Sequence, residues 1–544
     1  MRLGRIGGAV AALAIVLLST AAAAEGPFPP GLDADAIRIA TTGTGTIAAG
    51  GAHSCAITSV GDLYCWGDDS SGQLGDGPRG HAFGQAVRAL PGVVQVDAGR
   101  AHTCAIDVRG GGYCWGDDSA GQLGDGGQAD RDTPVRLAAL AGRTLVEITT
   151  GARHSCAIDD VGSAWCWGDG SHGQLGAPGA TGSATPIEVG RRSGMSDPVV
   201  DIAAGGDTTC AATAAGAAFC WGSDAAEQLG TSASGDRDEP VAVATDGALH
   251  GKVRQVTVGG SQACALDAEG RAYCWGTRGL GSGTMHPKRE PVAVRAAALD
   301  EITAGGEHTC GLRRGGRAFC WGDGLDGRLG NGGAAARSLP SGVTVDIALR
   351  DIDAGAEHSC GFAVRGDAYC WGAGADGRLG DGRAAASAVP VRVQGLPLPP
   401  AAATGVRVRA LDGGLRVSWQ PPADLGSGKF RYVWAATADY RSTCVLTVAT
   451  AGGCDLVGLR NGQEYDVTVA VRTQDGLTVS DFVTAAAAAV APRPSGVPTH
   501  RAVDSVLPGA GGGLPVTGLS PIALVSLGTL LLGGGLAALL VRKP

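Results

Sequence analysis

The sequence predicts an all-β protein, a seven-bladed β-propeller followed by a smaller β-sandwich, with an export signal before them and a transmembrane sorting segment after. Three observations predict it. All sixteen cysteines fall into pairs ten positions apart. Seven related units recur at spacings of 46 to 54 residues between about Ile37 and Val393. Beyond residue 400 that rhythm gives way to short alternating strands bounded by turn residues.

At the N-terminus, Arg2 and Arg5 precede an apolar run from Ile6 to Leu18, and Ala22, Ala23 and Ala24 stand before Glu25. Basic, apolar and small-residue regions in that order are the layout of a secretory leader, assigned to residues 1–24 with cleavage after Ala24. A retained anchor is the alternative, but the run is shorter than the roughly 20 residues a bilayer span needs. Export agrees with the cysteines. The pairs are Cys55 with Cys65, Cys104 with Cys114, Cys156 with Cys166, Cys210 with Cys220, Cys264 with Cys274, Cys310 with Cys320, Cys360 with Cys370, and Cys444 with Cys454. None is left over, which suits an oxidising compartment.

The propeller is assigned to residues 37–395. Repeats of this length built from short strands point to blades, none of which can bury its own faces alone. The cysteine spacing reads as a hairpin. If Cys55 faces Cys65, the pairing runs inward to Thr58 opposite Asp62 and leaves Ser59, Val60 and Gly61 as a three-residue loop. Such a loop ends in a residue of positive φ, where glycine is cheapest. Gly61, Gly110, Gly162, Gly216, Gly270, Gly316 and Gly366 all sit six positions after the first cysteine of their pair. Seven hairpin disulfides follow, because directly opposed residues lie within disulfide reach. Tyr64-Cys65-Trp66 and Tyr113-Cys114-Trp115 show no polar alternation, as expected of strands covered on both faces. Trp66, Trp115, Trp167, Trp221, Trp275, Trp321 and Trp371 are read as inter-blade packing, with ligand stacking as the other role open to them. A segment such as Pro134-Val135-Arg136 or Pro390-Val391-Arg392 follows each unit, and Ile37-Arg38-Ile39 precedes the first. That is one strand more than seven blades require, so which segment completes the last blade stays open.

The units carry a pattern of the form Ala-Gly-x-x-His-x-Cys-Ala-Ile, then Trp-Gly, then Gly-Gln-Leu-Gly, as in Ala49-Gly50, His53, Cys55-Ala56-Ile57, Trp66-Gly67 and Gly72-Gln73-Leu74-Gly75. This resembles the regulator of chromosome condensation repeat, which implies a seven-bladed propeller over about two thirds of the chain. Units four and five depart from it. Thr208 and Gln262 replace the histidine, and unit five shortens the interval from Trp275 to Leu280.

After Leu396-Pro397-Leu398-Pro399-Pro400, residues 401–490 read as a β-sandwich. Trp419 and the run Leu459-Arg460-Asn461-Gly462-Gln463-Glu464-Tyr465 resemble the core tryptophan and tyrosine corner of fibronectin type III domains. Between Cys444 and Cys454, Thr450 stands where the repeats have glycine, so that loop is of another type. Residues 491–513, rich in proline and glycine, read as an extended linker across a cell wall.

The segment 514–544 begins Leu514-Pro515-Val516-Thr517-Gly518, continues with an apolar stretch from Leu519 to Val541, and ends Arg542-Lys543-Pro544. The stretch is long enough to span a bilayer, and the terminal cations hold it on the cytoplasmic side. The arrangement resembles the LPxTG sorting signal of Gram-positive surface proteins. The resemblance implies that a sortase cuts between Thr517 and Gly518 and joins Thr517 to peptidoglycan, with the membrane engaged only before sorting. Retention as a membrane anchor is the alternative.

The chain carries 43 basic and 52 acidic residues, and loss of Arg2, Arg5, Arg542 and Lys543 on processing leaves 39 against 52, a net charge of −13. Such a surface is repelled by phosphate backbones, so no nucleic-acid partner is expected. Abundant Ala, Gly and Arg suit a high-GC genome.

Enzymatic and metal motifs are poor. His53, His102, His154, His308 and His358 lie two residues before a cysteine, yet thiols consumed in disulfides cannot ligate zinc. Asp68-Asp69-Ser70-Ser71-Gly72 lacks the acidic twelfth residue of a calcium loop, Arg79 standing there, and reads as loop chemistry. No cofactor and no catalytic residue is expected. The leading function is a cell-surface, wall-anchored binding or adhesion protein that recognises a protein or glycan through propeller loops. The variable loops are Asp76 to Gly80, Gly126 to Asp132, Ala177 to Thr185 and Thr231 to Glu239. A secreted-type propeller inhibitor of a β-lactamase or related enzyme is the second reading, and an enzyme with its site in the propeller channel the third. Nucleotide exchange on a nuclear GTPase, which the family name brings to mind, is incompatible with export and an acidic surface. Fold alone does not give function.

Overall fold

The computed structural model describes residues 47–77, 84–190, 195–244, 249, 252–426, 429–437, 442–473, 477–479 and 483–487. The leader, Ile37-Arg38-Ile39, the linker and the sorting signal lie outside the described residues.

Seven four-stranded antiparallel sheets are each built from four consecutive strands, at 47–90, 93–136, 145–188, 199–242, 253–293, 301–342 and 349–392. Blade two shows the pattern: Val93–Ala98, His102–Asp107, Gly112–Gly116 and Arg131–Arg136. The first strands of neighbouring blades touch one another all the way round, blade seven against blade one included. They therefore form the inner wall of a ring, with the fourth strands outermost.

The hairpin register is the one the cysteine spacing predicts. Cys55 pairs with Cys65, Thr58 N–H donates to Asp62 O at 2.9 Å, and Gly61 closes the turn at φ 80°. The equivalent glycines of the other blades lie between φ 77° and 91°. In the ladders of the next six blades Cys104 stands opposite Cys114, Cys156 opposite Cys166, Cys210 opposite Cys220, Cys264 opposite Cys274, Cys310 opposite Cys320, and Cys360 opposite Cys370. All seven pairs are disulfides, joining Cα atoms 4.0 to 4.1 Å apart. Second strands such as His53–Ile57 are wholly buried. Third strands differ from expectation at the aromatic before the cysteine, which is half-buried in five blades. Two of these donate to an acid at the hairpin: Tyr113 Oη to Asp107 at 3.2 Å and Trp165 Nε1 to Asp159 at 3.3 Å.

Among the described residues no strand is exchanged to close the ring. Blade seven is completed by its own Ser387–Arg392. Closure rests on side chains and backbone instead, with Asp351 and Asp353 accepting the N–H groups of Ile47 and Ala49. Six outermost strands carry a proline, at 134, 186, 240, 291, 340 and 390, which removes a donor from an open sheet edge. Blade one has Ala86 there, and its N–H reaches Gln394 O, on the segment leaving blade seven, at 3.4 Å.

The following domain is a two-sheet sandwich. One sheet holds Thr404–Leu411, Gly414–Gln420 and Gly453–Val457; the other holds Thr443–Leu446, Phe430–Thr437, Glu464–Thr473, Leu477–Val479 and Val483–Ala486. Trp419 packs in the core with Leu415, Val433, Val469 and Tyr465. The hydroxyl of Tyr465 accepts the N–H of Arg460 at 3.0 Å, the geometry of a tyrosine corner. Cys444 pairs beside Ala435 in one sheet and Cys454 beside Val417 in the other, so this disulfide joins the two sheets rather than a hairpin. Its Cα separation is 6.4 Å.

Candidate binding faces of the propeller

The meander sorts connections onto two faces. Turns between first and second strands share a face with the long connections between third and fourth strands; the disulfide hairpins and inter-blade links share the other. We call these the loop face and the hairpin face.

What makes the ring rigid is a repeated polar joint. The buried indole of Trp115 donates to Gln73 O of the preceding blade at 2.9 Å, and Thr103 Oγ1 donates to the same carbonyl at 2.8 Å. His53 Nε2 meets that hydroxyl at 2.8 Å. Because the hydroxyl proton is used on the carbonyl, the imidazole is the donor and its Nδ1 is left bare. The indole bond recurs at all seven joints, from Trp66 to Arg378 O through Trp371 to Arg328 O. The histidine–hydroxyl bond recurs at five: His53–Thr103, His102–Ser155, His154–Thr209, His308–Ser359 and His358–Ser54. Burial lowers the pKa of His53, His154 and His308 to about 3 and of His102 to about 4, so the rings are neutral. Blades four and five break the pattern as the sequence indicated. Thr208 turns to Ser223 O in its own blade, Ala263 has no hydroxyl, and Gln262 reaches His308 O in blade six. The tryptophans and histidines are thus joint residues, all fully buried.

The variable loops expected to bind lie together on the loop face, and the first three are held by the next blade. Gly77 N–H donates to Asp132 O and Gly126 N–H to Ala184 O, both at 2.9 Å. Gly179 N–H donates to Asp238 at 3.1 Å, and His172 meets Asp236 at 2.8 Å. Residues 78–80 of the first loop lie outside the described residues. Within the loops the acidic residues do turn chemistry: Asp68 accepts from Ser70 N–H and the Gln73 amide, and Asp69 accepts from Leu74 N–H. Sequence reasoning missed that units six and seven put arginine where the first four put this glutamine. Arg328 lies beside Asp323 and Asp326, and Arg378 beside Glu357 and Asp376.

It also missed the inner wall. Alternate residues of the first strands present Gln95, Glu147, Asp201, Gln255, Glu301 and Asp351 at one level, and Asp97, Thr149, Thr257, Thr303 and Asp353 at the next. The signal was a polar residue nine positions before the first cysteine of every unit, and seven positions before it in all but units one and four, where Ala48 and Ala203 stand. These side chains take the N–H groups of the neighbouring first strand: Gln95 from Ile148, Asp97 from Thr150, Asp201 from Val256 and Thr303 from Ala354. Burial, with the neighbouring acids, pushes Glu147 and Glu301 well above the usual carboxylate range, and burial pushes Asp201 and Asp353 up to about 7. Titratable groups do cluster in the channel, but as blade-to-blade acceptors.

The fold and these joints define a disulfide-stapled propeller that holds loops on a rigid ring. Its blades are regulator of chromosome condensation (RCC1) repeats, and the chain belongs to that family. The family matches residues 60–106, 109–158, 161–212, 315–362 and 365–403, and a second description of the same repeat matches 46–73, 93–122, 145–174, 199–228 and 300–328. Neither matches 229–299, the stretch that contains blade five. The human E3 ubiquitin-protein ligase HERC2 is 30% identical over 256 residues, 45% of this chain but 5% of HERC2. Human WBSCR16 matches with a TM-score of 0.53 and 26% identity over 58% of this chain and 86% of that one. Yeast RCC1 (Prp20), solved with Kap60, matches in fold with a TM-score of 0.54 and 23% identity over 61% and 83%. The chain spans a small fraction of HERC2, so the ligase activity of that protein does not carry over.

Proposed function

We propose that this is an exported, wall-anchored binding protein: the propeller is the recognition head, a fibronectin type III-like domain and the linker are the stalk, and a sortase joins Thr517 to peptidoglycan. The ligand is a protein or a glycan engaged by the loop face. The observation that carries the reading is the set of dissimilar loops pinned to neighbouring blades, since binding residues concentrate on loops held by rigid scaffolds. A protein of the same fold, yeast RCC1, is itself found bound to a protein, Kap60. The buried neutral histidines and the channel acids are committed to joints, which favours binding over catalysis. A pull-down with a fragment ending at residue 395 is expected to retain the ligand, and a fragment starting at Ala401 to lose it. The reverse result reduces the propeller to a spacer.

A further inference from the structure

On the hairpin face, five arginines stand on the three segments that meet at the joint between blades six and seven. Where blades two, three and five open their hairpins with Asp107, Asp159 and Asp267, blade six has Arg313, followed by Arg314 and Arg317. Leu349 N–H donates to Gly316 O and Val364 N–H to Ala348 O, so the segment entering blade seven is bound between the two hairpins. This sets Arg350, next to Leu349, against the hairpin that carries the first three, and puts Arg365, next to Val364, on the far side of the same link. Among the described residues none of the five forms an ion pair, whereas Arg88, Arg131, Arg143, Arg271, Arg289 and Arg392 all do.

The arrangement works against folding. Arg313 and Arg317 are directly opposed across the ladder, and like charges so placed are destabilising. Both stack on Phe319, Arg313 Cζ at 4.0 Å from the ring centre and Arg317 Cζ at 5.8 Å, while Arg350 lies 4.6 Å over Phe362. The Nε atoms of Arg313 and Arg350 are buried without a partner. Stacked guanidinium planes are preorganised forks for carboxylates. Of the five, Arg317 lines a hollow formed by Gly315–Ala318 and Gly342–Ala348, in which Asp346 is the one acid; Asp367 is taken by Arg392.

We infer that this arginine surface docks a short acidic segment of a partner protein, its Asp and Glu carboxylates received by Arg317 at the hollow and by Arg314 and Arg365 on the hairpin turns of blades six and seven. A long polyanion fits less well, because the basic footprint is local on a chain of net charge −9. The surface lies opposite the loop face, so it stands or falls separately from the ligand proposed there.

The test is fluorescence anisotropy of a labelled Asp/Glu-rich peptide with the purified full chain at low salt. Binding is expected, weakening with salt, and Arg314→Glu with Arg317→Glu is expected to reduce affinity by at least about tenfold. Arg407→Glu with Arg409→Glu, the same charge change on an exposed strand of the sandwich, is expected to leave it within about twofold. Because Arg317→Glu replaces a like-charged pair by an opposed one, the first variant is expected to melt no lower than wild type, which separates lost docking from misfolding. Absence of binding, equal loss in both variants, or displacement of the peptide by polyphosphate of equal charge as readily as by unlabelled peptide overturns the proposal.

Discussion

Replacing Ser155 by alanine tests whether the ring is held by its polar joints. Ser155 Oγ donates to Gln122 O at 2.9 Å and receives His102 Nε2 at 2.9 Å, in a site with no exposure to solvent. The carbonyl keeps a partner, because Trp167 Nε1 also donates to it at 2.8 Å. The orphan is the imidazole N–H. One hydrogen bond of about 1 kcal/mol and a buried unpaired donor costing about 1 to 3 kcal/mol give an expected loss of about 2 to 3 kcal/mol. The natural joint between blades four and five has already made both changes, with Thr208 in place of the histidine and Ala263 in place of the hydroxyl. His102→Thr with Ser155→Ala copies that joint and is expected to cost less than the sum of the single changes, by about 1 kcal/mol or more. The assay is urea unfolding followed by tryptophan fluorescence, under non-reducing conditions, with all four members of the cycle. A Ser155→Ala loss below about 0.5 kcal/mol, or strict additivity, refutes the joint as described.

Acidification acts on two sets of groups with opposite sign. The buried histidines have folded pKa values below the unfolded 6.5, so their contribution is present above that pH and is lost between about 6.5 and 4 or 3. Asp201 and Asp353, raised to about 7, do the reverse: their contribution is full below about 4 and is lost as pH rises through 7. Asp353→Asn is therefore expected to lose stability relative to wild type as pH falls from 8 to 4, measured as unfolding midpoints; a pH-independent difference refutes the raised carboxyl. Non-reducing peptide mapping is expected to recover eight bonds between cysteines ten apart, each hairpin bond worth about 2 to 3 kcal/mol in the chain-entropy model. Bonds crossing blades, or thiols open to alkylation in most repeats, contradict the register. Thr517→Ala is expected to leave the protein in the membrane fraction while wild type needs a muralytic enzyme for release; equal release of both by detergent rules out sorting.

Features set within one unit were legible in the sequence. The ten-residue spacing and the recurrent glycine specify a hairpin by local geometry, and Tyr465 marks its corner within five residues of its partner Arg460. Features that need the ring were not. Nothing in a single repeat shows that Gln73 O receives two donors from the next blade, or that Asp97 serves Thr150, because those partners meet only through the angle between blades. The arginine surface joins Arg313 to Arg350, 37 positions on, through one inter-blade link. The same spacing also gave Cys444 and Cys454 a different geometry, since the sandwich places them in opposite sheets.

Blades made of consecutive strands have a consequence for biosynthesis. A chain exported N-terminus first brings each propeller cysteine out only ten residues ahead of its partner, before the next unit emerges. Oxidation can then keep pace with emergence, so scrambled pairing has little opportunity. The last act is different in kind: Ile47 and Ala49 must wait for Asp351 and Asp353, 304 residues downstream, and Ser54 for His358. Until then the nascent propeller is an open arc with two bare flanks, one presenting unpaired N–H groups and the other unsatisfied carboxylates, and the polypeptide is most exposed to entanglement with a second copy in that interval.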